Sequence, residues 1–491
     1  MSLFGRMMAA VPASAVSETG NRSLTLQPEA SAWAGLLRHP PAGATARTTR
    51  DALGLPTDRP VVMGGHQPGL WHPGILAKYL SIRACCARTG AAGAWVVVDQ
   101  SPGAGASIAY PALADQSDSK TRRVSRETLL LGTADAPPAA QRATRPVAPS
   151  DGATAAVREG LSRLTQLLSA HAEASSLARQ LHASCIDALA ERDGSAEREP
   201  VRSCFATDLH RTPGFAELVG AMREDPASCA RHYNEAAAAF PHSGVRALAT
   251  AGNTVELPLW ERTTTPERPG PWRTVMSDRL ADLPDEALVL RGLPMTGLLR
   301  HHACDLFVHG TGGGASESGG SDAHEQAGYD RVTERWFEEW LGVTDLAPSV
   351  VATATLRLDF AELPGASDTP SPREIDAARA HAHRAAHDPA LLGDDARGEA
   401  KRELAARIST LPRHSPQRRE LYREMHELRE AAVRAHADKL AALRDRAAAL
   451  ASRLNDAAII DDRTWSFLFH DPSSLAGLRR DIEQAFAEAA G

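Results

Sequence analysis

Aromatic residues make up only 5% of this 491-residue chain, and its six cysteines include no CxxC pair. No histidine stands at zinc-ribbon spacing either, so the common structural zinc motifs are excluded. No charge-free apolar run is long enough to span a bilayer, so no membrane partner is expected. Neither a GxSxG elbow nor an HExxH helix occurs, which removes the usual serine-nucleophile and zincin signatures. The formal net charge of -7 argues against a nucleic-acid partner. Scattered cysteines in a chain this large fit small buried apolar residues in a reducing, cytoplasmic setting. The opening MSLFGRMMAAVPASA holds one Arg and is interrupted by Pro12, so it reads as a loose start rather than a secretory signal.

Glycine and histidine are concentrated in a few places. The stretch VVMGGHQPGLWHPGILAKYLSIRACC, from Val61 to Cys86, reads as an apolar strand, a turn and a helix from about Ile75. The turn carries Gly64, Gly65, His66, Gln67, Gly69 and His72. A helix behind such a turn presents unpaired backbone N–H groups and partial positive charge, which suits an anion. His66 and His72 are each expected to donate a hydrogen bond to a phosphate or carboxylate. The alternative is a Gly/Pro-rich connection with two solvated histidines, since neither the dinucleotide fingerprint nor the phosphate loop is matched.

A second apolar run, AWVVV, ends at Asp99, so strand, helix and strand form a βαβ unit. The region 101–151 looks loop-like, and 152–245 reads as a helical insertion containing Tyr233 and Asn234. Leu288–Leu290 and Asp305–His309 are further core strands, the latter running into Gly310, Gly312 and Gly313. A Gly/Ser insertion follows over 315–328, then a helix from Tyr329 to Leu341 and a strand from Val350 to Phe360 near a sheet edge. Residues 1–60 are expected to be irregular.

Past Pro370 glycine falls and charge rises. Leu421, Met425, Leu428 and Ala432, then Leu440, Leu443, Ala447, Leu450 and Leu454, recur at helical spacing. One helix from Pro416 to Asn455, roughly 60 Å long at ~1.5 Å per residue, needs a partner. The preceding helical stretch supplies one as an antiparallel hairpin over 370–455, which is also the candidate surface for a homodimer. In the remaining 456–491, Trp465, Phe467 and Phe469 are expected to dock the terminus on the 61–369 core.

In a doubly wound parallel sheet, the turn after Val61–Met63, Asp99 and the turn at His309 share one crevice at the carboxyl ends of the strands. Asp99 suits a ribose hydroxyl or an ammonium group, or else caps a turn. Arg291 is placed to hold a phosphate, with Tyr233 and Asn234 as further substrate contacts. Arg300, His301 and His302 fall on a helix and read as a solvated face. The histidines and Asp99 also suit a metal-dependent hydrolase, but with no known metal-ligand spacing no metal site is assigned.

Gly65-His-Gln-Pro-Gly-Leu70 resembles the GQQPGL-like turn of the BshC family, cysteine-adding enzymes of bacillithiol biosynthesis, with histidine at position 66. Val308 to Gly313 is similar to that family's glycine turn, and Tyr233-Asn234 and the C-terminal helical hairpin also look like it. The acidic cluster after the second strand is reduced here to Asp99-Gln100. The resemblance implies a Rossmann-like, nucleotidyltransferase-like α/β core with helical insertions and an antiparallel coiled-coil hairpin. It implies ATP or ADP at Gly65, Gln67, Gly69, His309, Gly310, Gly312 and Gly313, with no metal beyond magnesium carried by the nucleotide. It implies ligation of an amino acid to an amine, with His66, His72 and Asp99 at the reacting centre. A core that keeps nucleotide or partner binding but has lost catalysis is the alternative.

Overall fold

The computed structural model describes residues 15–19, 22–37, 43–102, 107–114, 123–144, 152–193, 201–310, 328–358 and 369–488. They fall into two compact units: 1–112, 126–359 and 463–491 in the first, and 113–125 and 360–462 in the second. Gly312, Gly313 and the 315–327 part of the Gly/Ser insertion lie outside the described residues.

The first unit is mixed α/β around a mostly parallel sheet. Its strands run, in spatial order, Ala15–Thr19, Arg22–Gln27, Ser349–Leu356, Leu306–His309, Val61–His66, Ala92–Val97 and Arg202–Phe205. The last five are mutually parallel, and Arg22–Gln27 pairs antiparallel with Ser349–Leu356. From Val61–His66 the chain passes through a helix, Pro73–Thr89, to Ala92–Val97 on one side. Leu306–His309 lies on the other side, so the strand order reverses between these two.

The strands are apolar on both faces because both are covered. Val61, Met63, Ala94, Val96 and Phe307 pack with Phe215, Tyr233, Leu298 and Trp336 from helices on one face. On the other face Trp95 meets Trp71 and Tyr79, with ring centroids 4.7 and 5.5 Å apart. The helix Pro73–Thr89 is buried over most of its length, including the stretch from Ile75 to Ile82. It also packs against the terminal helix Pro472–Glu488. Trp465, Phe467 and Phe469 are buried, and the Phe467 N–H bonds the Trp71 carbonyl at 2.8 Å, so the aromatic dock is present.

Several expectations need correction. The described part of residues 1–60 is not irregular: it contains the strands Ala15–Thr19 and Arg22–Gln27 and the helices Ala30–Leu36 and Ala44–Ala52. Arg22–Gln27 pairs with Val351 to Leu356 of Ser349–Leu356, which therefore lies inside the sheet and not at its edge. Gly64, Gly65 and His66 are strand, paired with Trp95, Val96 and Val97, so the turn begins at Gln67. The loop-like 101–151 stretch holds two paired strands, Ser107–Ala114 and Arg123–Leu130. The helical insertion contains an edge strand of the main sheet, Arg202–Phe205. Leu288–Leu290 belongs to a separate antiparallel sheet with Thr254–Glu261. Each of these pairings joins residues distant in sequence or too weakly alternating to declare a face.

The second unit contains the helices Pro372–Ala385, Asp395–Ser409, Pro416–Ala435 and Ala437–Ile460. The expected single long helix is interrupted at His436, whose backbone (φ -122, ψ 31) leaves the helical region. The second of these helices packs on the third and the first on the fourth. Leu421 meets Leu404 and Ile408, while Leu440 meets Ala385 and Leu392. The leucine seam is thus covered in part by the preceding helices of the same chain.

Candidate functional site

The carboxyl ends of Val61–His66 and Leu306–His309 open into a cleft of about 660 Å³. Gly65, His66, Gln67, His72, Tyr233, Arg291, His309 and Gly310 all line it, together with Lys78, Arg246, Thr353, Tyr329 and Arg463. Chain segments up to about four hundred residues apart thereby share one crevice, at the point where strand order reverses, as ligand sites in open α/β sheets do. No Asp or Glu is among the described residues lining it.

Local sequence builds the first wall. Gly65 admits no side chain: a Cβ there would stand 2.5 Å from the Val96 carbonyl oxygen. After the turn, His72 caps the helix, its Nδ1 accepting from the Gly74 N–H at 3.1 Å, with Pro73 at the first helical position. That bond makes Nδ1 unprotonated, so the neutral ring carries its proton on Nε2. His66 has the opposite tautomer, because its Nδ1 faces the Gln67 carbonyl at 3.3 Å and must donate. Burial, then the nearby Lys78 charge, lower the His66 pKa to about 3, so the ring is neutral. Its Nε2 is therefore an acceptor. With these tautomers His72 presents an Nε2–H donor, whereas the Nε2 of His66 presents an acceptor.

Lys78 was not singled out in the sequence. It is buried, and its Nζ donates to the Gly65 carbonyl at 2.7 Å and lies 5.5 Å from the Trp95 ring centroid. Burial lowers the amine to about 7. The available signal was a lone charge inside the otherwise apolar ILAKYLSI.

The second wall is tied more fully. His309 Nε2 lies 3.0 Å from Asp330 Oδ1, and the Tyr329 hydroxyl lies 3.2 Å from His309 Nδ1. Asp330 is also 3.8 Å from Arg300, which donates to the Ala347 carbonyl and to Glu334. Arg300 and His302 are buried, not a solvated face. The helix here widens to i+5 bonding, Cys304 N–H to the Leu299 carbonyl at 3.0 Å, which turns these residues inward.

Arg291 stacks on Trp260 at 4.0 Å and donates through Nη1 to Glu256 at 2.6 Å. Its Nε and Nη2, the edge that binds oxyanions bidentately, are buried without a hydrogen-bond partner.

Three predicted residues lie elsewhere. Asp99 is buried and accepts from the Thr207 N–H (3.0 Å) and hydroxyl (2.6 Å), so it fastens the strand end to the next segment. Burial raises its pKa to about 6 despite those bonds. Asn234 clamps both backbone groups of Leu248 and does not line the cleft. Gly69 shapes the turn with φ +153 but is not part of the lining.

Among the described residues one cluster has metal-ligand chemistry, His232, Glu235 and Glu339. None of the three lines the cleft, and the acids already meet Arg231 and Arg335. The cysteines are buried, Cys86 only partly, and burial pushes the Cys85 thiol up to about 11 and that of Cys185 to about 12. Among the described residues no helix is long and apolar enough to cross a membrane. No protein-family model, curated protein or solved structure matches the chain.

Proposed function

We propose that the chain is a BshC-like ATP-dependent ligase, or a nucleotide-binding enzyme of that kind, joining an amino acid to an amine in the cytoplasm. The observation that carries this reading is the charge of the cleft. Lys78, Arg246, Arg291 and Arg463 and three histidines line it, with no acid among the described lining residues. Such a pocket favours phosphate and carboxylate groups.

In this reading the core is Rossmann-like, and Gly65, Gln67, His309 and Gly310 surround the nucleotide. The His72 Nε2–H and the start of the helix Pro73–Thr89 face developing negative charge. Arg291 and Tyr233 hold the substrate. As the amine nitrogen bonds the acyl carbon of the adenylate, the acyl–phosphate bond breaks and AMP leaves with its electron pair; the unprotonated Nε2 of His66 accepts a hydrogen bond from the attacking amine and orients it, while the proton passes to the departing phosphate. Magnesium would travel on the nucleotide, since the described lining offers it no carboxylate.

Pyrophosphate release on mixing the protein with ATP and a pool of amino acids tests the ligase. Release that depends on one amino acid supports it; its absence, with ADP binding retained, leaves a binding module. That second reading is favoured by Asp99, whose carboxylate is engaged by Thr207 instead of the cleft. His66→Ala should slow amide formation while ADP binding in calorimetry and the melting temperature stay near wild type.

The homodimer is proposed on the 370–455 helices. Light scattering of the full chain at a mass near 52.3 kDa would sink it.

A further inference from the structure

Lys78 extends from the helix Pro73–Thr89 to the junction of the two strands where the sheet order reverses. Its Nζ bonds the Gly65 carbonyl at the end of Val61–His66. Its Cδ lies 3.9 Å from where a Cβ would stand on Gly310, just past the end of Leu306–His309. The ammonium has three N–H donors and uses one on protein. No carboxylate of the described residues lies within ion-pair distance, and no nearby charge perturbs its ionisation.

The buried Arg50 and Arg300 and the half-buried Arg291 of this unit are treated differently. Arg50 has Asp305 at 2.7 Å, Arg291 has Glu256 at 2.6 Å, and Arg300 has Glu334 at 2.6 Å. A buried cation without a counter-ion is costly, and natural interiors pair it. Here the residue is only 6% exposed, yet it borders an open cleft with no acid among its described lining residues. The missing partner belongs to whatever the cleft binds.

We propose that Lys78 is the anion anchor of the cleft: a phosphate or carboxylate oxygen of the ligand docks at Nζ, between Gly65 and Gly310, and supplies the counter-ion. This deepens the reading of the cleft as a site for nucleotide and amino acid, and rests on it only for which of the two provides the oxygen. The amine's position near neutrality fits, because an arriving oxyanion draws the proton onto Nζ. The Trp95 face and the Gly65 carbonyl then hold the ammonium in place.

Calorimetry of the full chain with inorganic pyrophosphate, ADP and L-cysteine tests the anchor and separates its sources. Lys78→Met should weaken every probe that binds the wild type by about tenfold or more, while Lys78→Arg retains part of the affinity. The unliganded Lys78→Met protein should melt no lower than wild type, since an unpaired buried charge is removed. Lys78→Gln, which keeps a donor for Gly65 without charge, is the second variant. It should bind as weakly as the Met variant. Unchanged affinity in both uncharged variants overturns the anchor while leaving nucleotide binding intact. Pyrophosphate or cysteine binding that needs Lys78, without ADP binding, sustains the anchor and overturns the nucleotide reading. A wild type that binds none of the three, or a marked fall in melting temperature in both uncharged variants, overturns the anchor outright.

Discussion

Arg50 and Lys78 are both buried cations, and they stand at opposite ends of the same two parallel strands. At the amino ends, Arg50 bonds Asp305 at 2.7 Å, and the same carboxylate oxygen accepts the Val61 N–H at 2.7 Å. Arg50 also reaches the Pro56 and Arg59 carbonyls at 3.4 Å. At the carboxyl ends, Lys78 has one backbone carbonyl, an aromatic face and, among the described residues, no acid. The first is a closed structural joint that ties a helix and two strands. The second is an open one, left for a ligand. One sheet thus uses the same kind of charge for stability at one end and for recognition at the other. What distinguishes them is whether the fold provides the opposite charge.

The contrast is broken most readily by removing Arg50. Arg50→Met strands Asp305 in the core and should lower unfolding free energy by about 3–5 kcal/mol in denaturant titration. A loss under ~1 kcal/mol would mean that the amino-end joint is no more structural than Lys78. Pairing the change with Asp305→Leu should recover a large part of the loss, because no uncompensated charge then remains.

The pH dependence of the Lys78→Met difference comes next. Lys78 falls from an ordinary 10.5 to about 7 in the folded chain, so between those values the unfolded chain binds the extra proton. Stability therefore rises with pH in that window. Wild type should gain on Lys78→Met by about 1 kcal/mol per pH unit from just above pH 7 toward pH 10, measured by paired denaturation curves. A flat difference would show that Lys78 stays charged when folded, as a paired cation would.

Gly65→Ala sharpens the comparison at the carboxyl end alone. Its Cβ would press on Val96 and displace the carbonyl that holds Lys78. It should cost about 1–3 kcal/mol in stability and weaken ADP binding at the same time. Loss of stability with full affinity would separate the Gly65 carbonyl from the site. The smallest effect is expected for Asp99→Asn, which shares no contact with the cleft. ADP affinity should change by no more than about twofold, within the ~0.3–0.5 kcal/mol expected of independent sites. A larger fall would return Asp99 to the site.

How much of this was readable in the chain depends on the range of the interactions. The Pro73–Thr89 helix, the histidine-bearing turn and the Tyr329–Leu341 helix follow from local signals: a proline start, glycines and helical periodicity. The aromatic dock at Trp465–Phe469 was legible because aromatics are scarce. Ser349–Leu356 was misplaced at an edge because its partner, Arg22–Gln27, lies more than three hundred residues earlier. Its late alternation looks like a half-exposed strand until that pairing is known. His66 was read as a donor because a tautomer is set by a neighbouring carbonyl and not by residue type. Asp99 followed an apolar strand as a ligand-binding acid would, but Thr207 arrives from a distant segment to take both oxygens.

The order of residues alone determined that a glycine-bearing strand end feeds a capped helix, and that a second strand ends in His309-Gly310. Those features are local, since backbone freedom, capping and periodicity act over a few residues. Only the tertiary structure decided that the two ends adjoin, that Arg50 meets an acid and that Lys78 meets none among the described residues. Whether a buried charge has a partner is a property of what packs around it, and no run of neighbouring residues contains that information.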